Sequence, residues 1–219
     1  MGKEIDLLIN YPQSKRKVDD RGASKTEADR ELARKFGREF FDGDRSHGYG
    51  GFNYSPRFWQ PVIPTFQAHW GLTSESSVLD VGCAKGFMIH DLAELIPGIE
   101  VQGIDVSEYA VQNAIEDMRE YVRVGTAEDL PFPDDSFDVV ISITTVHNLE
   151  RADLIRSLQE IERVARQGSF ITIDAYRDED EARRMHAWNL TARTVLHVDE
   201  WRDLFAEAGY TGDYYWFIP

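Results

Sequence analysis

The chain has 219 residues, a length that suits one domain with additional segments. Hydrophobic residues make up 42% of it and aromatic residues 12%, which supplies a sizeable core and excludes a largely disordered chain. The 39 acidic and 24 basic side chains give a formal net charge of −15, which disfavours phosphate backbones and anionic lipid as partners.

Cysteine content and hydropathy exclude further classes of protein. Cys83 is the single cysteine, so an intrachain disulfide and a zinc site built from several thiolates are excluded. No apolar run approaches the roughly 20 residues that cross a bilayer, and residues 1–10 lack the apolar core of a signal peptide. We expect a cytoplasmic monomer or homodimer that binds neither nucleic acid nor a membrane.

The first 70 residues predict an extension of helices and loops. A helix is expected over 26–41, a glycine-rich loop over 42–55, and a second helix over 56–70. Four aromatic or histidine side chains alternate with glycines in that loop: His47, Tyr49, Phe52 and Tyr54. This composition predicts a lid that closes over a pocket and excludes water, although a well-packed surface loop has the same composition.

From residue 77 onward, short apolar runs alternate with helical patterns. The alternation predicts βαβ units and a Rossmann-like, mostly parallel sheet with helices on both faces. Strands are predicted at 77–81, 101–104, 121–124, 137–143, 169–174 and 210–218. Helices are predicted at 86–95, 108–119, 151–165, 178–189 and 199–208. We divide the chain into an extension with a lid, residues 1–70, and an α/β domain, residues 71–219.

The first predicted strand runs into a glycine turn, VLDVGCAKGF at residues 78–87. Gly82 and Gly86 allow a ligand to approach the backbone closely. Asp80 lies at the carboxyl end of the strand, where open α/β sheets bind their ligands. Because the glycine spacing matches neither the dinucleotide motif nor a P-loop, the turn alone leaves the ligand open.

Two later stretches define the ligand more closely. GIDVS at 103–107 places Asp105 at the end of the next strand, where a carboxylate accepts hydrogen bonds from both hydroxyls of a ribose. An acid that complements the dipole of the following helix is the other interpretation of Asp105. GTAEDLPF at 125–132 follows the third strand, and its backbone is placed to contact an adenine edge.

These three stretches, in this order, resemble the class I S-adenosylmethionine-dependent methyltransferase family over residues 77–218. The resemblance implies S-adenosylmethionine as cofactor and S-adenosylhomocysteine as product. The residues that it assigns to cofactor binding are Asp80, Gly82, Cys83, Gly86, Asp105, Val106, Ala127, Glu128 and Ser142. Ala84 and Lys85 depart from the pattern, because many members have a third glycine or another small residue there. We expect slightly different packing of the turn.

The segment after the fourth strand lies between cofactor and acceptor in related enzymes. His147 is placed there as a general base or as a polar group near the sulfonium; a hydrogen bond to the cofactor or the loop is an equal alternative. Asn148 either orients an acceptor through its amide or is a turn residue. Tyr176 follows the fifth strand and can present its ring to a cation. We predict these three as the catalytic residues.

The predicted reaction is an in-line attack of a small-molecule hydroxyl or amine on the sulfonium methyl group. A sugar, a sugar nucleotide or a secondary metabolite is the expected acceptor, and no metal is expected, since no convincing metal-ligand spacing is present. Three alternatives stay open: a reaction within S-adenosylmethionine itself such as intramolecular cyclisation, a non-catalytic cofactor-binding partner subunit, and a nicotinamide-dependent oxidoreductase, which the glycine spacing disfavours.

Overall fold

A parallel β-sheet forms the centre of the computed structural model, which describes residues 2–12 and 25–219. The seven strands assigned within that part of the chain are β1 (Ser77–Val81), β2 (Glu100–Asp105), β3 (Val122–Val124), β4 (Phe137–Ile143), β5 (Ala165–Tyr176), β6 (Leu196–His197) and β7 (Asp213–Phe217). The α-helices assigned there are α1 (Glu27–Ala33), α2 (Arg38–Asp42), α3 (Ile63–Trp70), α4 (Phe87–Leu95), α5 (Glu108–Gln112), α6 (Arg151–Val164), α7 (Glu179–Trp188) and α8 (Val198–Ala208).

The strands follow the order β3-β2-β1-β4-β5, and every strand pair among the described residues is parallel. β7 pairs with β5 along Phe170–Asp174, and the short strand β6 pairs with the last two residues of β5. In the registers of β1, Val81 lies beside Ile104 of β2 and Asp80 lies beside Ile141 of β4. The loops that leave β1, β2 and β4 therefore meet at one edge of the sheet.

Alternate residues of the strands feed two apolar layers, one on each face of the sheet. In β1, Leu79 belongs to a core shared with α6 and α8, whereas its neighbour Val78 belongs to a core shared with α3 and α4. Trp201 and Phe205 on α8 are fully buried in the first layer. Because both layers are packed, the βα loops are held by rigid elements on both sides.

The prediction of one continuous helix over 26–41 is wrong, because the structure has two short helices with a break between them. Thr26 caps α1 in a capping box with Asp29, so the predicted start of the helix agrees with the structure. The chain then reverses at Phe36, whose φ is +48°, and α2 starts after Gly37. The rings of Phe36 and Phe40 pack on each other across this break, with their centroids 5.2 Å apart.

Two other predicted helices are too long. The helix predicted over 56–70 is helical from Ile63 only, because the residues before it form turns. The helix predicted over 108–119 ends at Gln112, and a single 3-10 turn, Glu116–Met118, follows it. Ile115 N–H donates to the carbonyl of Lys85 at 3.0 Å, so the chain leaves the helical path to pair with the glycine turn.

The last predicted strand, 210–218, is also shorter in the structure. Tyr210 lies in the turn that ends α8, where its buried hydroxyl contacts Ser169 at 3.1 Å, and the strand begins only at Asp213. The two-residue strand β6 gave no sequence signal. β5 begins at Ala165, four residues before the predicted start, whereas β1 to β4 and α4, α6, α7 and α8 lie within two residues of the predicted bounds.

The amino-terminal residues cover the free edge of β7. Ile5 N–H donates to Tyr214 O at 2.9 Å, and Tyr214 N–H donates to Lys3 O at 3.0 Å. Residues 13–24 of the predicted extension lie outside the described residues. Among the residues that are described, no helix combines the length and apolarity required to traverse a bilayer.

Candidate functional site

The turn after β1 is shaped by glycines in left-handed conformations. Gly82 has φ +88° and Gly86 has φ +77°, values that side-chain-bearing residues rarely adopt. A Cβ on Gly82 would lie 2.1 Å from Thr145 Oγ1, so no side chain fits there. The turn after β1 and the turn after β4 therefore touch directly at Gly82.

Ala84 occupies the position where the family pattern has a third glycine. Its φ is +49°, so an alanine adopts the backbone conformation that glycine would adopt. Its N–H donates to Asp105 Oδ2 at 2.8 Å, which fixes the turn against the end of β2. Left-handed backbone costs an L-residue about 1–2 kcal/mol, so the turn keeps its shape under strain.

Two buried carboxyl groups lie at the ends of β1 and β2. Asp80 is 4% exposed, and burial together with the charge of Asp105 raises its pKa well above the ordinary value. Burial also raises the pKa of Asp105, although the N–H groups of Ser107 and Ala84 each donate to it at 2.8 Å. Each oxygen of Asp105 accepts one backbone hydrogen bond and keeps a lone pair for a further donor.

The other predicted cofactor residues differ in exposure. Val106 is 55% exposed, unusual for valine, and lies directly beside Asp105. Cys83 is buried against Gly103, and burial raises the pKa of its thiol well above the ordinary value. Ser142 is fully buried, and its hydroxyl donates to Val81 O at 2.9 Å, so this side chain joins β4 to β1. Ala127 and Glu128, both half-buried, follow β3.

His147 is held at the turn after β4 by a hydrogen bond to its ring. The N–H of Asp174 donates to Nδ1 at 3.0 Å, and burial lowers the pKa of the imidazole despite the nearby Asp174 charge. A neutral imidazole that accepts at Nδ1 carries its proton on Nε2. In this geometry His147 is a hydrogen-bond donor, so the structure favours the polar-group interpretation over that of a general base.

The same turn contains a strained backbone at Thr144 and a side-chain amide, that of Asn148, which lacks one hydrogen-bond partner in the described part of the chain. Thr144 has φ +51°, an outlier for a β-branched residue. Asn148 Nδ2 donates to Thr144 O at 3.3 Å, whereas Asn148 Oδ1 is buried without a hydrogen-bond partner among the described residues. Tyr176 is half-buried at the end of β5, with its ring 5.8 Å from that of His197.

Residues 26–54, here called the cover, cross the edge of the sheet where these loops meet. At one end, Lys25 Nζ just before the cover donates to Trp188 O, and Arg30 Nε donates to Asn189 O at 3.5 Å. At the other end, Tyr54 OH donates to Asp91 Oδ1 on α4 at 2.6 Å. The cover thus runs from the end of α7 to the helix that follows the glycine turn.

A buried ion pair joins the cover to the glycine turn. Lys85 is 6% exposed; its ammonium group donates to Asp42 Oδ2 at 2.7 Å and to Phe52 O at 2.9 Å. Tyr109 OH donates to the same carboxylate oxygen at 2.8 Å. Burial opposes ionisation of Asp42, but the hydrogen bonds from Lys85, Phe52 N–H and Tyr109 outweigh it and lower its pKa. Sequence reasoning missed this role of Lys85, whose only signal was its departure from the family pattern.

The predicted lid residues pack mainly within the cover or on α4. His47 Nε2 lies 3.1 Å from Asp29 Oδ1, and the rings of Tyr49 and Phe52 are 4.3 Å apart. Phe52 also stacks on Phe87 at 4.9 Å. The aromatic residues of the loop therefore attach the cover to the first turn of α4.

Comparison with known proteins decides the family. A family model described as a methyltransferase domain matches residues 72–209. The chain belongs to the class I S-adenosylmethionine-dependent methyltransferases. The predicted family and the predicted Rossmann-like fold are confirmed.

Relatives of this methyltransferase match over part of their length. The uncharacterized methyltransferase YcgJ of Bacillus subtilis is 30% identical over 164 residues, which cover 67% of this chain and 62% of YcgJ. Its crystal structure superposes with a TM-score of 0.54, covering 67% of this chain and 66% of that chain. The 2-methyl-6-phytyl-1,4-hydroquinone methyltransferase of Synechocystis sp. is 30% identical over 177 residues, 74% of this chain and 54% of the relative.

A solved structure with another named activity shares the fold. The [4+2]-cyclase SpnF is 24% identical, with a TM-score of 0.55, and the match covers 68% of this methyltransferase and 56% of that chain. This chain spans less than two thirds of the length of YcgJ and of the hydroquinone methyltransferase.

Replacing Ala84 with glycine is expected to stabilise this methyltransferase by about 1 kcal/mol, because glycine removes the left-handed strain. Urea unfolding at neutral pH measures the change. The matched control is Ala110→Gly on α5, where backbone entropy and lost burial should cost about 1 kcal/mol or more. Equal destabilisation by both changes would show that Ala84 carries no strain.

Lys85→Met should lower the free energy of unfolding by about 2–3 kcal/mol, because it leaves the Asp42 carboxylate without its buried cation. The control is Arg38→Met, which removes an exposed ion pair with Glu39 and should change stability by less than about 0.5 kcal/mol. Hydrogen exchange would report faster exchange in the cover of Lys85→Met only. Unchanged protection of the cover would contradict its attachment through Lys85.

Proposed function

We propose that this methyltransferase transfers the methyl group of S-adenosylmethionine to a hydroxyl or amine of a small molecule, such as a sugar, a sugar nucleotide or a secondary metabolite. The observation that carries the proposal is the cover, which contacts the loops after β1 and β2 and is joined to the glycine turn by Lys85 and Asp42. A site beneath such a cover suits a compact acceptor.

The residues present fit the cofactor. Gly82 and Gly86 give the turn after β1 its left-handed backbone, and buried Asp80 beside that turn offers a carboxyl group to a cationic ligand atom. Asp105 would accept from the ribose hydroxyls with its remaining lone pairs, and exposed Val106 would contact the adenine. When bound, S-adenosylmethionine supplies an electrophilic methyl carbon on its sulfonium.

The turn after β4 would orient the acceptor. His147 presents Nε2–H as a donor, and the neighbouring Asn148 Oδ1 is a buried acceptor without a partner among the described residues. A hydroxyl or amine can both accept from a donor and donate to an amide oxygen, so the pair matches that acceptor class. These residues position the nucleophile, which is the main requirement of an in-line transfer. Tyr176 would contribute its ring near the sulfonium.

Charge and family membership give further support. The net charge of −15 disfavours a nucleic-acid acceptor. The cyanobacterial relative is named for a hydroquinone, which is a small molecule with hydroxyl groups. A small-molecule acceptor is therefore compatible with the family to which this chain belongs.

Removing the Asp105 carboxylate should weaken binding of S-adenosylhomocysteine at least tenfold in Asp105→Ala, as measured by calorimetry, because the ribose loses its acceptor. Glu108→Ala, an exposed acid in the first turn of α5, is the matched control and should stay within about threefold. A change within about threefold for Asp105→Ala as well, roughly 0.7 kcal/mol, would contradict the ribose assignment.

Methyl transfer itself is tested with S-adenosylmethionine labelled in its methyl group and a panel of sugars, sugar nucleotides, phenols and amines, with a transfer RNA pool as a separate arm. The expected result is one S-adenosylhomocysteine for each methylated small molecule. In Asn148→Ala, kcat/KM for the acceptor should fall at least tenfold while cofactor affinity stays unchanged, since only the acceptor loses a partner.

Three outcomes would overturn the proposal. Turnover of S-adenosylmethionine without an acceptor, giving products other than S-adenosylhomocysteine, would indicate a reaction within the cofactor. Tight cofactor binding without transfer to any acceptor would indicate a non-catalytic partner subunit. Methyl label that appears in the transfer RNA and in none of the small molecules would show that the acceptor is a nucleic acid.

A further inference from the structure

We propose that His90, Asp91 and Glu94 on α4 bind one divalent transition-metal ion. The site lies on the outer part of the helix that follows the glycine turn and is separate from the residues assigned to methyl transfer. It contacts the end of the cover, because Tyr54 OH donates to Asp91 Oδ1 at 2.6 Å.

Helical spacing brings the three side chains together. Glu94 is four residues after His90 and three after Asp91, so both are its neighbours on the helix surface. One nitrogen or oxygen atom from each residue lies within 4.8 Å of the others, and His90 Nε2 lies 3.7 Å from Glu94 Oε2. Ligands about 2.1 Å from a tetrahedral ion are roughly 3.4 Å apart, so small side-chain adjustments suffice for coordination.

The imidazole is oriented by a carboxylate behind it. His90 Nδ1 lies 2.7 Å from Asp117 Oδ2, a hydrogen bond that places the proton on Nδ1. Nε2 then keeps its lone pair on the side of Glu94. Metal-binding histidines are commonly held in this way, with a carboxylate on the nitrogen that does not bind the ion.

Asp91 supplies the observation that points most directly to a cation. It is fully buried, and its Oδ2 has no hydrogen-bond partner among the described residues, whereas Oδ1 is used by Tyr54. A buried carboxylate oxygen without a partner is costly. The ion pairs found for Glu94 and Asp117 are both with His90, and Glu94 Oε2 also accepts from the neutral amide of Gln60 at 3.1 Å, so three carboxylates lie around a single imidazole. A divalent cation would balance this excess of negative charge.

The donor set selects the class of ion. One imidazole nitrogen and two carboxylate oxygens suit zinc, cobalt, manganese or iron, whereas magnesium and calcium prefer oxygen ligands alone. Glu94 is half exposed, with 53% of its side chain accessible, so the ion would exchange with solvent and complete its coordination with water. Through Asp91 and Tyr54, the ion would strengthen the attachment of the cover to α4.

The full chain, stripped with a chelator, is titrated with cobalt(II) by visible absorption and with zinc by calorimetry. We expect one ion per chain with a Kd of about 100 µM or tighter, displacement of cobalt by zinc, and no competition from millimolar magnesium. His90→Gln, Asp91→Asn and Glu94→Gln should each weaken binding at least tenfold. The matched control is His69→Gln, because His69 pairs with Asp213 at 2.9 Å at similar exposure and should leave the affinity unchanged.

A zinc Kd weaker than about 100 µM, or unchanged affinity in both His90→Gln and Glu94→Gln, overturns the proposal. Glu94→Gln changes a half-exposed side chain and is expected to fold, so this variant tests metal binding even if Asp91→Asn fails to fold. S-adenosylhomocysteine calorimetry on the same samples separates this site from the proposed function. A sample that binds no metal but still binds S-adenosylhomocysteine would contradict the metal site alone and leave the proposed function unaffected.

Discussion

The buried ion pair between Lys85 and Asp42 is the interaction on which the arrangement of the site depends. Lys85 belongs to the glycine turn and Asp42 to the cover, so one contact links the cover to the turn at which we propose that the cofactor binds. A buried cation is stable only when it is paired and hydrogen-bonded; the half-buried Asp42 carboxylate and the carbonyl of Phe52 accept from Lys85, and Tyr109 and Phe52 N–H donate to Asp42. The ion pair thereby attaches the cover to the glycine turn.

Backbone strain is concentrated around the same turn. Ala84 in this turn has φ +49°, and Thr144 on the turn that touches Gly82 has φ +51°; both values strain a residue with a side chain, whereas Gly82 and Gly86 adopt positive φ without strain. Strained residues persist where the surrounding packing determines the backbone, and they cluster at functional sites. The parallel sheet provides that packing, because β1 and β4 are adjacent and buried. Two turns in forced conformations are thus held against each other by a rigid base.

Sequence patterns predicted the sheet better than the helices around it. β1, β4 and the second half of β5 are buried and rich in apolar residues, so their short apolar runs identified them, and the acids near the ends of β1 and β2 placed Asp80 and Asp105 at one edge. Helix lengths failed where tertiary contacts override local pattern, as at Phe36, which reverses the chain, and at Ile115, which pairs with Lys85 O. The partners of Lys85 and of His147 could not be predicted, because they lie far away in sequence. The sequence did not predict the metal site that we propose on α4, because that proposal depends on the burial of Asp91 and on the contact of His90 with Asp117, which only the fold shows.

The pairing of Lys3 and Ile5 with Tyr214 also bears on how the chain folds. It joins residues separated by about 210 positions, with Lys3 N–H bonded to Asp213 Oδ1 at a separation of 210. During synthesis on the ribosome, the amino-terminal segment must wait without its strand partner until β7 has emerged. Closing so long a loop adds entropy cost and raises the contact order, so this edge of the sheet is expected to form after the βαβ units that precede it. A segment that precedes the sheet in the chain thus completes that sheet late.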